Sequence, residues 1–128
     1  MGIVFTITSY ENGLAYGDLV WSEKSLKTGA FSGPYGKKEL PAGLYHLSKS
    51  KLLDKTGKEA FCDSLNKCWM QVIDPQFSTD RDQLGIHPDG NKIGTLGCIG
   101  ILEADSSKWL EAFQSIPNGD YTVLEVFI

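Results

Sequence analysis

The chain has 128 residues, of which 41% are hydrophobic and 22% charged, with a formal net charge of −4 and a pI of about 5.1. This length fits one domain, spanning 1–128, with a single core of ordinary size. The acidic balance excludes a nucleic-acid-binding protein that works through a basic patch, and no apolar run is long enough for a membrane span.

The first half of the chain predicts short strands. β-branched and aromatic residues dominate 3–10 and 14–21, and the intervening Asn12-Gly13 pair is typical of a tight hairpin turn. The polar and then glycine-rich stretch 22–38 predicts loops. Apolar and polar residues alternate over 44–48, which indicates a half-buried strand.

The second half predicts further strands and one helix. We expect a solvated hairpin tip over 49–58, a strand over 69–74, a polar loop over 75–81 and a closing strand over 121–128. The helix is predicted over 103–116, where Asp105 or Ser106 can cap its N-terminus. Four apolar side chains form a stripe at helical spacing, most simply explained by core packing: Trp109, Leu110, Phe113 and Ile116.

These elements together define the predicted fold class. It is mainly β, an antiparallel β-sandwich or a partly closed barrel, with one α-helix in the C-terminal half.

The stretch 84–102 contains the residues best suited to chemistry. It places His87 and Cys98 in two short apolar segments, 84–87 and 98–102, which glycines bound and which we expect to be strands. A thiol that can become a thiolate and an imidazole that can take its proton make a nucleophile and its base. The simpler interpretation is that the cysteine is a buried apolar residue and the histidine a structural one.

The other two cysteines, Cys62 and Cys68, lie close together in the segment F-C-D-S-L-N-K-C-W, whose intervening residues favour a turn. In an oxidising compartment they can form a disulfide and leave Cys98 as a free thiol; otherwise both are ordinary reduced cysteines. A zinc site that uses the three cysteines and His87 is disfavoured, because no C-x-x-C or H-x-x-x-H spacing is present.

The motif G-I-H-P-D-G…G-T-L-G-C-I-G-I, residues 85–101, resembles the active-site motif of the L,D-transpeptidase (YkuD-type) catalytic domain. The upstream segment G-P-Y-G-K-K-E-L-P-A-G-L-Y-H-L, residues 33–47, is similar to an early strand entry of that family. Only 11 positions separate His87 from Cys98. In this the chain looks more like the compact offshoots of the family, which include interbacterial effector toxins and phage relatives.

The resemblance implies a cysteine-dependent enzyme that acts on peptidoglycan stem peptides through a thioester, as a transpeptidase, carboxypeptidase or endopeptidase. The resemblance implies that such an enzyme requires no metal or organic cofactor. His87 matches the catalytic histidine, Cys98 the nucleophile and Gly97 the preceding glycine, and the N–H groups of Gly97 and Cys98 are expected to hold the oxyanion. The carbonyl of Pro88 or Asp89, or the Asp89 side chain, is expected to orient the imidazole.

Substrate contacts are expected from five residues around the motif: Arg81, Asp89, Asn91, Thr95 and Leu96. Thr95 matches the Ser or Thr of the family. Leu96 stands where the family usually has a second histidine, and Gly100 stands where it usually has Asn or Arg. These two departures leave open whether the enzyme cross-links, trims or cleaves the stem peptides.

The N-terminal sequence lacks the basic and long apolar regions of a secretory signal. We therefore expect a protein made in the bacterial cytoplasm that reaches the periplasm or cell wall by secretion or lysis, as an antibacterial effector toxin or a phage lysin. An injected toxin further implies an immunity protein as its partner. Two alternatives stay open: a catalytically inactive peptidoglycan-binding module, and a structural phage component with the same fold.

Overall fold

The computed structural model describes residues 2–33, 39–81, 83–88, 95, 97–102 and 105–127. The strands within these ranges all belong to one sheet, which curls into a half-barrel. They are β1 (Ile3–Glu11), β2 (Leu14–Trp21), β3 (Leu26–Ser32), β4 (Gly43–Ser48), β5 (Leu52–Asp54), β6 (Trp69–Val72), β7 (Asp74–Pro75), β8 (Gly85–Pro88), β9 (Ile99–Ile101) and β10 (Tyr121–Phe127), with the helix α1 (Ser106–Gln114). Their order across the sheet is β5-β6-β8-β9-β3-β2-β1-β10-β4-β7.

The prediction of a mainly β fold with one helix in the C-terminal half is confirmed. Of the two predicted arrangements, the half-barrel agrees with the partly closed barrel rather than with the sandwich. The sheet is mixed rather than wholly antiparallel, because β1 pairs with β10 and β8 pairs with β9 in parallel. Parallel partners are joined by long connections, and the period of side chains along a strand does not reveal which distant strand becomes the neighbour.

Two strands lie where the sequence predicts loops. β3 falls within 22–38 and is hydrogen-bonded on both sides, to β2 and to β9. Its sequence signal is weak because Gly29 and Ala30 have low strand propensity, and the two neighbouring strands override that preference. β5 falls within the predicted hairpin tip, where it pairs with β6 at one end of the sheet.

The helix α1 covers one face of the sheet and brings aromatic side chains into the core. Trp109 and Phe113 have no exposed surface, and Phe113 lies 5.4 Å from Trp21 and 5.7 Å from Trp69 between ring centroids. Trp21 and Trp109 are 6.2 Å apart by the same measure. This geometry is typical of aromatic clusters, and it shows that the predicted helical stripe packs into the core.

The start of α1 is held by tertiary contacts rather than by the expected side-chain cap. Asp105 is the N-cap residue but makes no capping bond, and its carboxylate accepts a hydrogen bond from Thr28 Oγ1 at 2.7 Å. Ser106 is fully buried and donates to Asp63 Oδ2 at 2.6 Å. These two bonds attach the helix to β3 and to the segment between Cys62 and Cys68.

Candidate active site

His87 and Cys98 face the same side of the sheet on adjacent parallel strands. β8 and β9 pair so that Ile86 lies beside Ile99 and His87 beside Gly100. Because side chains alternate along a strand, His87 points away from the core that Ile86 and Ile99 enter, and so does Cys98, the residue just before β9. An offset of two residues on neighbouring strands corresponds to about 8 Å between Cα atoms. An imidazole and a thiol can span that gap.

Glycines flank both functional side chains on this face. Gly100 lies beside His87, and the same register continued by one residue places Gly85 beside Cys98. A Cβ added at Gly85 would come within 2.8 Å of the Gln71 carbonyl oxygen and would collide with the Met70 side chain. No larger residue fits at that position without displacing β6.

The imidazole of His87 is buried and held in one tautomer. The residue is 5% exposed, and its Nδ1 lies 2.7 Å from the Pro88 carbonyl oxygen. A carbonyl can only accept, so Nδ1 carries the hydrogen and the neutral ring keeps its lone pair on Nε2. Of the groups expected to orient the ring, the Pro88 carbonyl is the one that lies within the described residues.

The pKa of His87 is lowered from its ordinary value of 6.5. Burial is the main cause, because it disfavours the charged ring, and the nearby Lys55 charge acts in the same direction. The hydrogen bond to Pro88 opposes both. The imidazole is therefore neutral near pH 7, which is the form that can accept a proton.

The Cys98 thiol is also neutral at rest. Its side chain is buried, its Sγ lies 3.6 Å from the Gln83 carbonyl oxygen, and the Gly85 N–H donates to the sulfur. Burial raises the thiol pKa above its ordinary value of 9.0, while the Gly85 bond and the Lys55 charge partly offset the rise. A neutral thiol beside a neutral imidazole suits proton transfer to a general base. It does not suit a preformed thiolate–imidazolium pair.

Gln83, whose carbonyl accepts from the Cys98 thiol, has an unusual backbone conformation. Its φ of 54° lies in the left-handed region that non-glycine residues seldom occupy. Strained residues of this kind persist where the surrounding structure fixes them, often at functional sites. No sequence signal marks Gln83, because glutamine has no preference for that conformation.

Thr95 holds the backbone around the cysteine. Its Oγ1 donates to the Cys98 carbonyl oxygen at 2.6 Å and accepts from the N–H groups of Gly33 at 3.0 Å and Gly97 at 3.2 Å. These three bonds use the full capacity of a hydroxyl group, and the residue is 5% exposed. Thr95 therefore positions Cys98, whereas the sequence led us to expect a substrate contact.

Gly97 is fixed on both sides of its backbone. Its N–H is engaged by Thr95, and its carbonyl accepts from the buried Ser32 Oγ at 3.3 Å. Its φ of 122° is open to glycine but strained for other residues. Since its N–H is occupied, the expected oxyanion donor pair reduces to the Cys98 N–H. The Ser32 bond fixes the direction of that N–H, because both groups belong to one planar peptide.

A disulfide-closed segment lies beside the imidazole. Cys62 and Cys68 are joined by a disulfide, which leaves Cys98 as the free cysteine. Asp63 braces the closed segment, because its Oδ1 accepts from the N–H groups of Leu65 at 2.9 Å and Lys67 at 3.0 Å. The same carboxylate is the one that receives the Ser106 hydroxyl. The segment is thus tied to α1.

Two residues of this region reach the site, and the sequence did not predict either. The Phe61 ring meets the His87 ring edge-to-face at a centroid distance of 4.7 Å. Lys55 Nζ lies 5.1 Å from the Phe61 centroid, and the Lys55 N–H donates to the Cys68 carbonyl at 3.0 Å. An aromatic residue directly before Cys62 is the sequence feature that could have indicated a role for Phe61. Lys55 has no such feature, because it falls in the stretch predicted to be a solvated hairpin tip.

The remaining expected substrate contacts are not brought together by the described residues. Arg81 Nη1 donates to the Glu39 carbonyl at 3.0 Å, so its guanidinium braces the chain there. Asp89, Asn91 and Leu96 lie outside the described residues.

Comparisons with known proteins found no match to any family model, to any curated protein or to any solved structure. In the described part of the chain no helix is long and apolar enough to cross a membrane. No three His, Cys, Asp or Glu side chains among the described residues are grouped in a way that could hold a metal ion.

Proposed function

We propose that this chain is a cysteine-dependent enzyme that modifies the stem peptides of peptidoglycan, of the L,D-transpeptidase type. One observation carries the proposal: His87 and Cys98 share one face of the β8/β9 pair, with the imidazole held in the tautomer that leaves Nε2 free to accept a proton. The choice of peptidoglycan as substrate rests on the motif resemblance.

The reaction starts from two neutral groups. The S–H, which donates to the Gln83 carbonyl at rest, turns toward His87 and gives its proton to Nε2. The thiolate then attacks the carbonyl of the diamino-acid residue of a stem peptide. The Cys98 N–H supports the oxyanion that develops on that carbonyl oxygen.

Collapse of the tetrahedral adduct breaks the peptide bond. The leaving D-amino acid takes the proton from His87, and the acyl group remains on Cys98 as a thioester. An incoming amine gives transpeptidation or exchange, whereas water gives carboxypeptidase or endopeptidase action.

The biological setting proposed for this reaction is the periplasm or cell wall of a target bacterium. We place the chain among antibacterial effectors or phage lysins, with a blocking immunity protein in the effector case. The bond between Cys62 and Cys68 supports an oxidising working compartment, because disulfides persist there and are rare in reducing cytosol.

A second candidate is a peptidoglycan-binding module without turnover, or a structural phage component. The buried Cys98 thiol, with its raised pKa, favours this alternative, since buried structural cysteines are inert.

Mass spectrometry of muropeptides separates the two candidates. Purified Gram-negative peptidoglycan is incubated with the wild-type protein or with Cys98→Ala, each shown to be folded. Loss of a D-residue indicates trimming, new dimers or exchange indicate transpeptidation, and fewer cross-links indicate cleavage. An unchanged profile with both proteins would leave the binding module as the better account.

A further inference from the structure

We infer that Lys55 is an anion-binding residue of the Cys98 site and receives a carboxylate that the acyl donor carries close to its scissile carbonyl. The inference rests on the proposed function for the identity of the donor. The position of the Lys55 charge near His87 and Cys98 does not depend on it.

The position of the cation follows from stacked side chains. The ammonium of Lys55 lies over the face of Phe61, and the edge-to-face contact of Phe61 with His87 places the lysine one ring away from the imidazole. The lysine side chain is half-buried on that aromatic ring. When the aliphatic part of a lysine packs in this way, its ammonium group is held near the aromatic ring and moves less freely in solvent.

The backbone of Lys55 is fixed as well. Its N–H donates to the Cys68 carbonyl, so the disulfide that closes the segment also anchors the lysine. A cation tethered at both its backbone and its stem loses little freedom when it binds an anion.

The charge of Lys55 is not neutralised by a described carboxylate. The ion pair seen among the described residues joins Lys51 to Asp74, at 3.2 Å. The Lys55 charge is felt at both functional groups, since it lowers the pKa of His87 and that of Cys98. A cation with this reach favours an anionic group at the mouth of the site, whether it belongs to the substrate or develops during the reaction.

Alkylation of Cys98 by two matched reagents tests the inference without any need for turnover. Iodoacetate is an anion and iodoacetamide is its neutral counterpart, and in the oxidised protein Cys98 is the free thiol that reacts. The ratio of their rates reports the attraction of an anion and cancels changes in thiol reactivity.

We expect Lys55→Met to lower the iodoacetate-to-iodoacetamide ratio about threefold or more at low ionic strength, because one nearby unit charge is removed. Lys55→Arg should keep the wild-type ratio. Lys58→Met is the matched control, since Lys58 is an exposed lysine three residues along the chain and is not a cause of the pKa shift of His87 or of Cys98. An equal ratio in Lys55→Met and wild type, or a thiol that neither reagent reaches, would overturn the inference.

Kinetics with stem peptides test whether the anion that Lys55 binds belongs to the substrate. A peptide with a free carboxylate on the acyl-donor residue should show a higher kcat/KM than its carboxamide, and Lys55→Met should abolish the difference through KM. If the protein leaves peptidoglycan unchanged but Lys55→Met shifts the alkylation ratio, the anion site is supported and the proposed function is wrong. If the protein turns over both peptides equally and Lys55→Met does not shift the alkylation ratio, the proposed function is supported and the anion site is wrong.

Discussion

Thr95 and Cys98 are joined by a 2.6 Å hydrogen bond from the threonine Oγ1 to the cysteine carbonyl oxygen. The same hydroxyl accepts from Gly33 and from Gly97, so a single buried side chain connects β3 to the backbone on both sides of the nucleophile. The three hydrogen bonds of Thr95 therefore fix the backbone that orients the thiol, and they leave the hydroxyl no capacity to bind a ligand.

Replacing Thr95 by valine tests these hydrogen bonds. Valine keeps the shape but leaves two buried N–H groups and one carbonyl without their partner, each at a cost of about 1–3 kcal/mol. We expect Thr95→Val to lower the free energy of unfolding by about 3 kcal/mol or more in urea titrations, because the three losses add. We also expect the variant to change the alkylation rate of Cys98. Thr95→Ser, which keeps the hydroxyl, should retain most of both, and a stable, fully reactive Thr95→Val would show that the three bonds are dispensable.

The pH dependence of turnover follows from the two neutral groups. The reaction needs neutral His87 and a protonated Cys98 thiol in the free enzyme. The pKa of His87 lies below 6.5, so kcat/KM should fall on the acid side only below that pH. The pKa of the thiol lies above 9.0, so the fall on the basic side should begin above that pH.

The matched variant for this profile is Lys55→Met. Because the Lys55 charge lowers both pKa values, its removal should move both limbs of the profile to higher pH. A thiol that is ionised below pH 9.0 while His87 is still protonated above pH 6.5 would instead indicate a preformed thiolate–imidazolium pair.

Opening the Cys62–Cys68 disulfide should weaken both the fold and the site. Cross-links that close short loops stabilise by about 2 kcal/mol, so Cys62→Ser/Cys68→Ser should unfold at a correspondingly lower urea concentration. The double variant should also lose kcat/KM several-fold, because Phe61 adjoins Cys62 and the Cys68 carbonyl anchors Lys55. Phe61→Ala in the oxidised protein is the control for the ring contact. A double variant with unchanged kcat/KM would rule out a role for the disulfide in shaping the site.

Much of this arrangement was predictable from local sequence. Strands with strong β-branched and aromatic patterns, and the helical stripe around Trp109 and Phe113, appear where the periodicity predicts them. β3 was missed because its central position in the sheet comes from pairing with β2 and β9, and its own residues have little strand propensity.

The site was predictable in its two chemical groups and less so in their surroundings. His87 and Cys98 stand out by residue type within one motif, and the structure places them on one face. The roles of Thr95, Phe61 and Lys55 depend on contacts between segments that lie far apart along the chain, such as the hydrogen bond from the Gly33 N–H to Thr95. No spacing within a single stretch reports those contacts.

Capture of the acyl-enzyme is the measurement that tests the central claim most directly. The oxidised protein is mixed with a stem peptide, quenched rapidly in acid, and weighed intact by mass spectrometry before fragmentation. Our account predicts a mass increase equal to the peptide minus its leaving amino acid, located on Cys98, removed by hydroxylamine and absent from Cys98→Ala. An adduct on another residue, or processing of the peptide by Cys98→Ala at the wild-type rate, would contradict it.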